Sequence, residues 1–148
     1  MRFLLVNPYY PISECPSPPL GLAFVAAALE RAGVEVKVLD LVVYPYSRPQ
    51  MESLLNDFQP EIVGATCVTM NFHDAVRVIE DVKSINPHIF TVLGGCHITF
   101  CARETLEQFP YLDGAVLGEG EDTVVELVRA MEQGVDLGHI KGLAYRKN

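Results

Sequence analysis

Short apolar runs with little polar alternation recur along this chain, at residues 2–7, Glu61 to Thr66, Ile89 to Leu93 and Asp113 to Leu117, and Val34 to Val42 reads as a further, β-branched strand. A strand with one wet face alternates apolar and polar residues, whereas a strand covered on both faces does not. Helical stretches separate these runs. Leu20 to Ala32 follows a series of prolines (Pro8, Pro11, Pro16, Pro18, Pro19) and is closed by Gly33, a marked helix start and stop. Met51 to Phe58 ends at Gln59-Pro60. Phe72 to Ile85 is amphipathic, with Ala75, Val76, Ile79, Val82 and Ile85 inward, and Asn86-Pro87 stops it. Ala102 to Phe109 reads as a short helix. Asp122 to Gln133 reads as a long one with Val124, Val125, Leu127, Val128 and Met131 as its apolar face. Leu143 to Arg146 reads as one more strand at the chain end.

Strands alternating with helices fit a parallel sheet covered by helices on both faces. With right-handed crossovers, the expected fold is α/β in three layers (α/β/α): a doubly wound, flavodoxin-like (Rossmann-like) parallel sheet of about five strands. The 148 residues, 49% of them hydrophobic, suffice for one domain with one core. A net charge of −8 argues against nucleic acid and against anionic membrane surfaces, which need clustered Lys and Arg. The longest apolar stretch, Leu20 to Leu29, is too short to span a bilayer, and no signal peptide is read at the N-terminus. The cytoplasm is the default location. The strand-like end at Gly142-Leu143-Ala144-Tyr145-Arg146 reads as the edge of a fragment from a longer protein.

In such a sheet the loops after the strands gather along one edge, where ligands bind. Four are unusual: Asn7-Pro8-Tyr9-Tyr10, Thr66-Cys67-Val68-Thr69, Gly94 to Thr99, and Gly118-Glu119-Gly120-Glu121. Four special loops on one edge point to a broad, flat ligand. Gly94-Gly95 allows a ligand to approach the backbone, or serves a tight turn needing positive φ. The Gly118 to Thr123 segment resembles a phosphate loop but follows the fifth strand. It also carries three carboxylates where pyrophosphate would lie, so it suits a ribose, an amide or another neutral group, or simply caps a helix. Thr66 and Thr69 have hydroxyls for a ligand or for a cap. His97 stands where a base or ligand group could act, or is a structural histidine. Asp40 could take a ribose hydroxyl, but the first loop lacks the glycines of a dinucleotide site. Cys15, Cys67, Cys96 and Cys101 have no metal or redox spacing and read as reduced thiols. No catalytic residue and no metal ligand is assigned, and the residues alone describe a binding module.

In order, Leu5-Val6-Asn7-Pro8, Pro18-Pro19-Leu20-Gly21-Leu22-Ala23, Ala26 to Glu30 with Ala32-Gly33, Val38-Leu39-Asp40, Ile62-Val63-Gly64, Leu93 to Phe100, Gly118 to Glu121 and Gly142 to Arg146 resemble the N-terminal cobalamin-binding domain of radical S-adenosylmethionine enzymes. Cys96 departs from the proline usual in that family. The resemblance implies cobalamin as cofactor, touched by Leu20, Gly21, Leu22, Thr66, Val68, Thr69, Gly94, Gly95, Cys96, His97, Thr99, Gly118, Glu119, Gly120 and Glu121. Cobalamin domains that ligate cobalt through histidine resemble one another in an Asp-x-His-x-x-Gly motif, and residues 7–21 hold no histidine. The resemblance therefore implies cobalamin with its benzimidazole displaced and no protein histidine on cobalt. Thr69, Met70 and Asn71 are candidates, by position, for the lower cobalt face. It also implies a partner radical domain downstream, with S-adenosylmethionine and an iron–sulfur cluster; no CxxxCxxC motif occurs in this chain. The parent would be a methyltransferase or an anaerobic Mg-protoporphyrin monomethyl ester cyclase. The alternative is a flavodoxin-like scaffold or interaction domain that has lost the cofactor. A response-regulator receiver lacks its acidic residues here, and a flavin mononucleotide domain lacks its phosphate cradle.

Overall fold

A computed structural model describes residues 1–11 and 17–147; Cys15 and Pro16 of the first loop lie outside the described residues. The elements are β1 (Arg2–Asn7), α1 (Leu20–Arg31), β2 (Glu35–Asp40), α2 (Arg48–Phe58), β3 (Ile62–Thr66), α3 (Phe72–Ile85), β4 (Phe90–Gly94), α4 (Cys96–Gln108), β5 (Gly114–Val116), α5 (Glu121–Gln133) and β6 (Leu143–Tyr145). They form one sheet in the order β2-β1-β3-β4-β5-β6. The first five strands are parallel, in the flavodoxin-like order expected. β6 adds a sixth, antiparallel strand against β5.

Alternate strand residues divide the core in two. Leu4, Val6, Val63, Leu93 and Ala115 pack beneath α2, α3 and α4. Phe3, Leu5, Ile62, Val92 and Val116 face α1 and α5, meeting Leu22, Leu29, Val124, Leu127 and Val128. The inward face expected for α3 is buried at Ala75, Val76, Ile79 and Val82, joined by Val78.

Three boundaries differ from the expectation. The fourth helix begins at Cys96 rather than Ala102 and is kinked at Cys101 (φ −126°, ψ 20°). The residues between, His97-Ile98-Thr99-Phe100, are aromatic or β-branched and favour helix weakly, so they read as loop. Ile98 is nonetheless fully buried, and that packing outweighs propensity. The second strand is a sheet edge, shorter than Val34 to Val42, with Val38 48% exposed. The second helix starts at Arg48 instead of Met51, with Pro49 in its first turn, where a missing N–H is tolerated. Just after β2, the Tyr46 hydroxyl donates to Asp81 on α3, and Arg48 pairs with the same carboxylate at 2.7 Å.

Candidate functional site

The register of the parallel strands sets the site out in layers. On the face toward α1 and α5, Leu5, Gly64, Val92 and Gly114 are neighbours across four strands. One step toward the carboxyl edge come Thr66 and Gly94, paired with each other, with Val116 beside Gly94. Gly64 makes room for the Phe3 ring, and Gly94 leaves the strand face above it open toward α1 and α5. A slot of about 390 Å³ opens there. Its deeper walls are Phe3, Leu5, Leu22, Val25, Val92, Val116 and Val124, and its mouth is Gly21, Thr66, Gly94, Gly95, Cys96, Thr99, Phe100 and Gly118 to Glu121.

The two adjacent glycines differ in kind. Gly95 has φ +98°, and a Cβ there would lie 2.5 Å from the Cys67 carbonyl oxygen. Its glycine is required by the turn itself. At Gly94 a Cβ would meet Val116 at an ordinary 3.7 Å, so a side chain is sterically possible and would stand at the slot wall. Gly118 (φ +67°) has nothing within reach of a Cβ and serves the turn from β5 into α5. Thr99 ties these loops together: its hydroxyl donates to the Gly95 carbonyl (3.1 Å) and accepts from the Gly118 N–H (3.0 Å).

Of the residues singled out in the sequence, Gly21, Leu22, Thr66, Gly94, Gly95, Cys96, Thr99, Gly118, Glu119, Gly120 and Glu121 are brought together around the slot. Leu20, Val68, Thr69 and His97 do not line it. Leu20 is exposed at the start of α1. The Val68 N–H donates to the Asn71 side chain (2.9 Å), opening a 3-10 turn over Thr69–Asn71. His97 Nδ1 lies 3.1 Å from the Thr69 hydroxyl, and its ring packs on Phe72 at 4.4 Å, on the α3 side. Thr69 therefore holds His97 rather than capping α3 through its side chain. Glu121 and Asp122 occupy the first turn of α5, suited to its dipole, but the N-cap is Gly120 and no side chain closes it. Asp40 accepts from Asn7 (2.9 Å) and from the Val42 N–H (3.0 Å), so its carboxylate braces the ends of β1 and β2.

Burial pushes the Cys67 thiol up to about 12, with Cys96 nearby adding to the shift. Cys67 is thus an unreactive core residue, while Cys96 is exposed at the mouth. Among the described residues no three His, Cys, Asp or Glu side chains gather to hold a metal ion. No helix among them is long and apolar enough to cross a membrane. The deep residues Phe3, Leu5, Gly64, Val92 and Val124 were not picked out from the sequence. The available signal was Gly64, a glycine inside an otherwise apolar strand, which marks a close approach.

An open parallel sheet with an apolar slot at its carboxyl edge, beside the point where strand order reverses between β1 and β3, is a ligand-binding doubly wound domain. Residues 13–128 match the B12 binding domain family, and the chain belongs to it. It is similar to a Pyrococcus horikoshii protein described as an uncharacterized methyltransferase, with 39% identity over 131 residues, 88% of this chain and 28% of that protein. It is also similar to the anaerobic magnesium-protoporphyrin IX monomethyl ester cyclase of Rubrivivax gelatinosus: 34% identity over 153 residues, 98% of this chain and 28% of that protein. Among solved structures it resembles the radical S-adenosylmethionine methyltransferase TsrM of Kitasatospora setae with cobalamin and a [4Fe-4S] cluster bound (TM-score 0.80, 26% identity, 99% of this chain, 29% of that one). The chain spans less than a third of the length of each of these relatives.

Proposed function

We propose that this chain holds cobalamin with its nucleotide base lowered into the slot between α1 and α5 and its corrin ring across the glycine-rich mouth. The observation that carries this reading is the slot itself: apolar walls below, and a mouth opened by Gly94, Gly118 and Gly120. The residues suit the group. A Cβ at Gly94 would stand in the slot without touching protein backbone closer than 3.7 Å, so the space is reserved for something other than the chain's own packing. The mouth offers hydroxyl, backbone and carboxylate groups, fitting partners for the neutral amide arms of a corrin. Bound cobalamin would supply a methyl-carrying cobalt.

The chain leaves that cobalt without a histidine. His73 and His97, at this edge of the sheet, both pack on Phe72, and His97 also engages Thr69. Thr69, Met70 and Asn71, in the 3-10 turn after β3 with Met70 56% exposed, are the candidates by position for the lower side of the ring. Other large apolar side chains exposed at the same edge include Leu20, Phe24 and Phe100, at 70%, 63% and 86%. A partner surface covers such a concentration in a working assembly. We assign that role to a radical S-adenosylmethionine domain of the same polypeptide. The domain would perform methyl transfer or ring cyclisation, with the present chain supplying the cofactor and no catalytic group.

The test is to mix the purified chain with hydroxocobalamin, desalt it and record the visible spectrum. Retained cofactor with a benzimidazole-off spectrum supports the reading, and Gly94→Val should abolish retention in a folded protein. Absence of retention here and in a longer polypeptide carrying the partner domain would overturn it and leave the scaffold reading.

A further inference from the structure

We propose that the slot discriminates among corrinoids by their nucleotide base, accepting an apolar benzimidazole and rejecting a purine. The inference rests on the cobalamin reading above and concerns what the deep walls add to it. Polar side chains are confined to the mouth: Thr66, Thr99, Glu119 and Glu121. Thr99 is already committed as donor to Gly95 and as acceptor from Gly118. One layer down, the walls are Leu5, Leu22, Val25, Val92 and Val124, closed beneath by Phe3, whose ring lies against Gly64. The strand backbones at this level are paired with one another across β1, β3, β4 and β5.

Two residues of strand separate Thr66 from Gly64 and Gly94 from Val92, a drop of about 7 Å at the usual rise per residue. That is the depth of one fused bicyclic ring. The far edge of a benzimidazole is hydrocarbon and loses nothing on entering such walls. Adenine would carry an exocyclic amine and ring nitrogens to the same depth, where neither side chains nor backbone offer a partner. A buried polar group without a partner forfeits its hydration uncompensated. The same asymmetry lets a site reject a ligand that differs by one polar group.

Equilibrium dialysis of the chain against cobalamin, an adenine-containing cobamide and cobinamide, which lacks the nucleotide, tests the proposal. The expected order is cobalamin tightest, the adenine cobamide at least about ten-fold weaker (about 1.4 kcal/mol), and cobinamide weakened by at least as much. Equal affinity for the two complete cobamides, both tighter than cobinamide, would overturn base selection and leave the cobalamin reading intact. Equal binding of cobalamin and cobinamide would overturn base selection and the placement of the base in the slot. No binding of any, repeated in the longer polypeptide that carries the partner domain, would overturn the cobalamin reading as well. Val25→Thr keeps the shape of a half-buried wall residue and adds a hydroxyl. With its thermal melt checked, this variant should narrow the gap by favouring the adenine cobamide. A ratio unchanged from the parent chain would count against the apolar wall as the discriminator.

Discussion

Gly94 and Gly95 stand side by side for different physical reasons, and substitution separates them. Gly95→Ala puts a methyl 2.5 Å from the Cys67 carbonyl oxygen at a φ of +98°, so both strain and clash act on the fold itself. A loss of more than about 2 kcal/mol in urea unfolding is expected. At Gly94 an added Cβ meets only ordinary contacts, so Gly94→Val should cost less stability than Gly95→Ala while cobalamin retention disappears. The sequence presented the pair as one motif with two readings; only the backbone angle and the position of Cys67 assign turn to the second glycine and open space to the first. Cys67 makes a prediction of its own. Its folded-state thiol is raised from 9.0 to about 12, chiefly by burial. Between these values the unfolded chain releases a proton that the folded one keeps, so stability falls as pH rises from 9 to 12. The slope is at most about 1.4 kcal/mol per pH unit from this group. Denaturant titrations of Cys67→Ala across that range should show the slope reduced.

At the scale of elements, the informative case is the start of α4. Ile98 and Thr99 are β-branched and Phe100 is aromatic, all weak helix formers, so propensity by itself favours a start at Ala102. Burial of Ile98 and the Thr99 hydroxyl bond back to Gly95 supply what propensity lacks. The same hydroxyl accepts from the Gly118 N–H, so one side chain fixes the entrance of α4 to the turn leading into α5. Thr99→Val preserves shape and removes both bonds. A stability loss of about 1–2 kcal/mol is expected by urea denaturation. Amide exchange at Gly118 should rise above the exchange at central-strand amides such as Val63. Arg146 does comparable work at the other end of α4, donating to the carbonyls of Leu106 and Phe109 and so anchoring the antiparallel β6. The second strand shows the opposite limit of sequence reading: Val36 and Val38 look like core, yet an edge position leaves Val38 half in solvent.

For the whole molecule, element order and the five parallel strands are legible in the period, since strands alternating with helices leave few topologies, whereas the antiparallel pairing of β6 is not. The mouth of the slot was legible because loops after strands must converge on one edge. Its walls were not, because Leu5, Val92 and Val124 are indistinguishable in sequence from core residues. Only register puts Leu5 and Val92 one layer below Thr66 and Gly94, and only packing of α5 on the sheet brings Val124 beside them. A slot made from would-be core has a thermodynamic consequence. Filling it completes the packing between α1, α5 and the sheet, so ligand binding and folding are linked. Free cobalamin at a hundred times its dissociation constant should add about 2.7 kcal/mol to the stability of the chain. For a domain of this size that corresponds to a rise in Tm of roughly 5–10 °C. Cobinamide at the same concentration should give a markedly smaller rise, because it brings no base to the slot. Gly94→Val, whose side chain occupies the wall, should melt near the unliganded parent and show no response to either corrinoid. Differential scanning calorimetry on the parent and Gly94→Val, each with and without the two corrinoids, measures all of these shifts. Equal rises from cobalamin and cobinamide in the parent would place the binding energy entirely at the mouth and refute the linkage between slot and core.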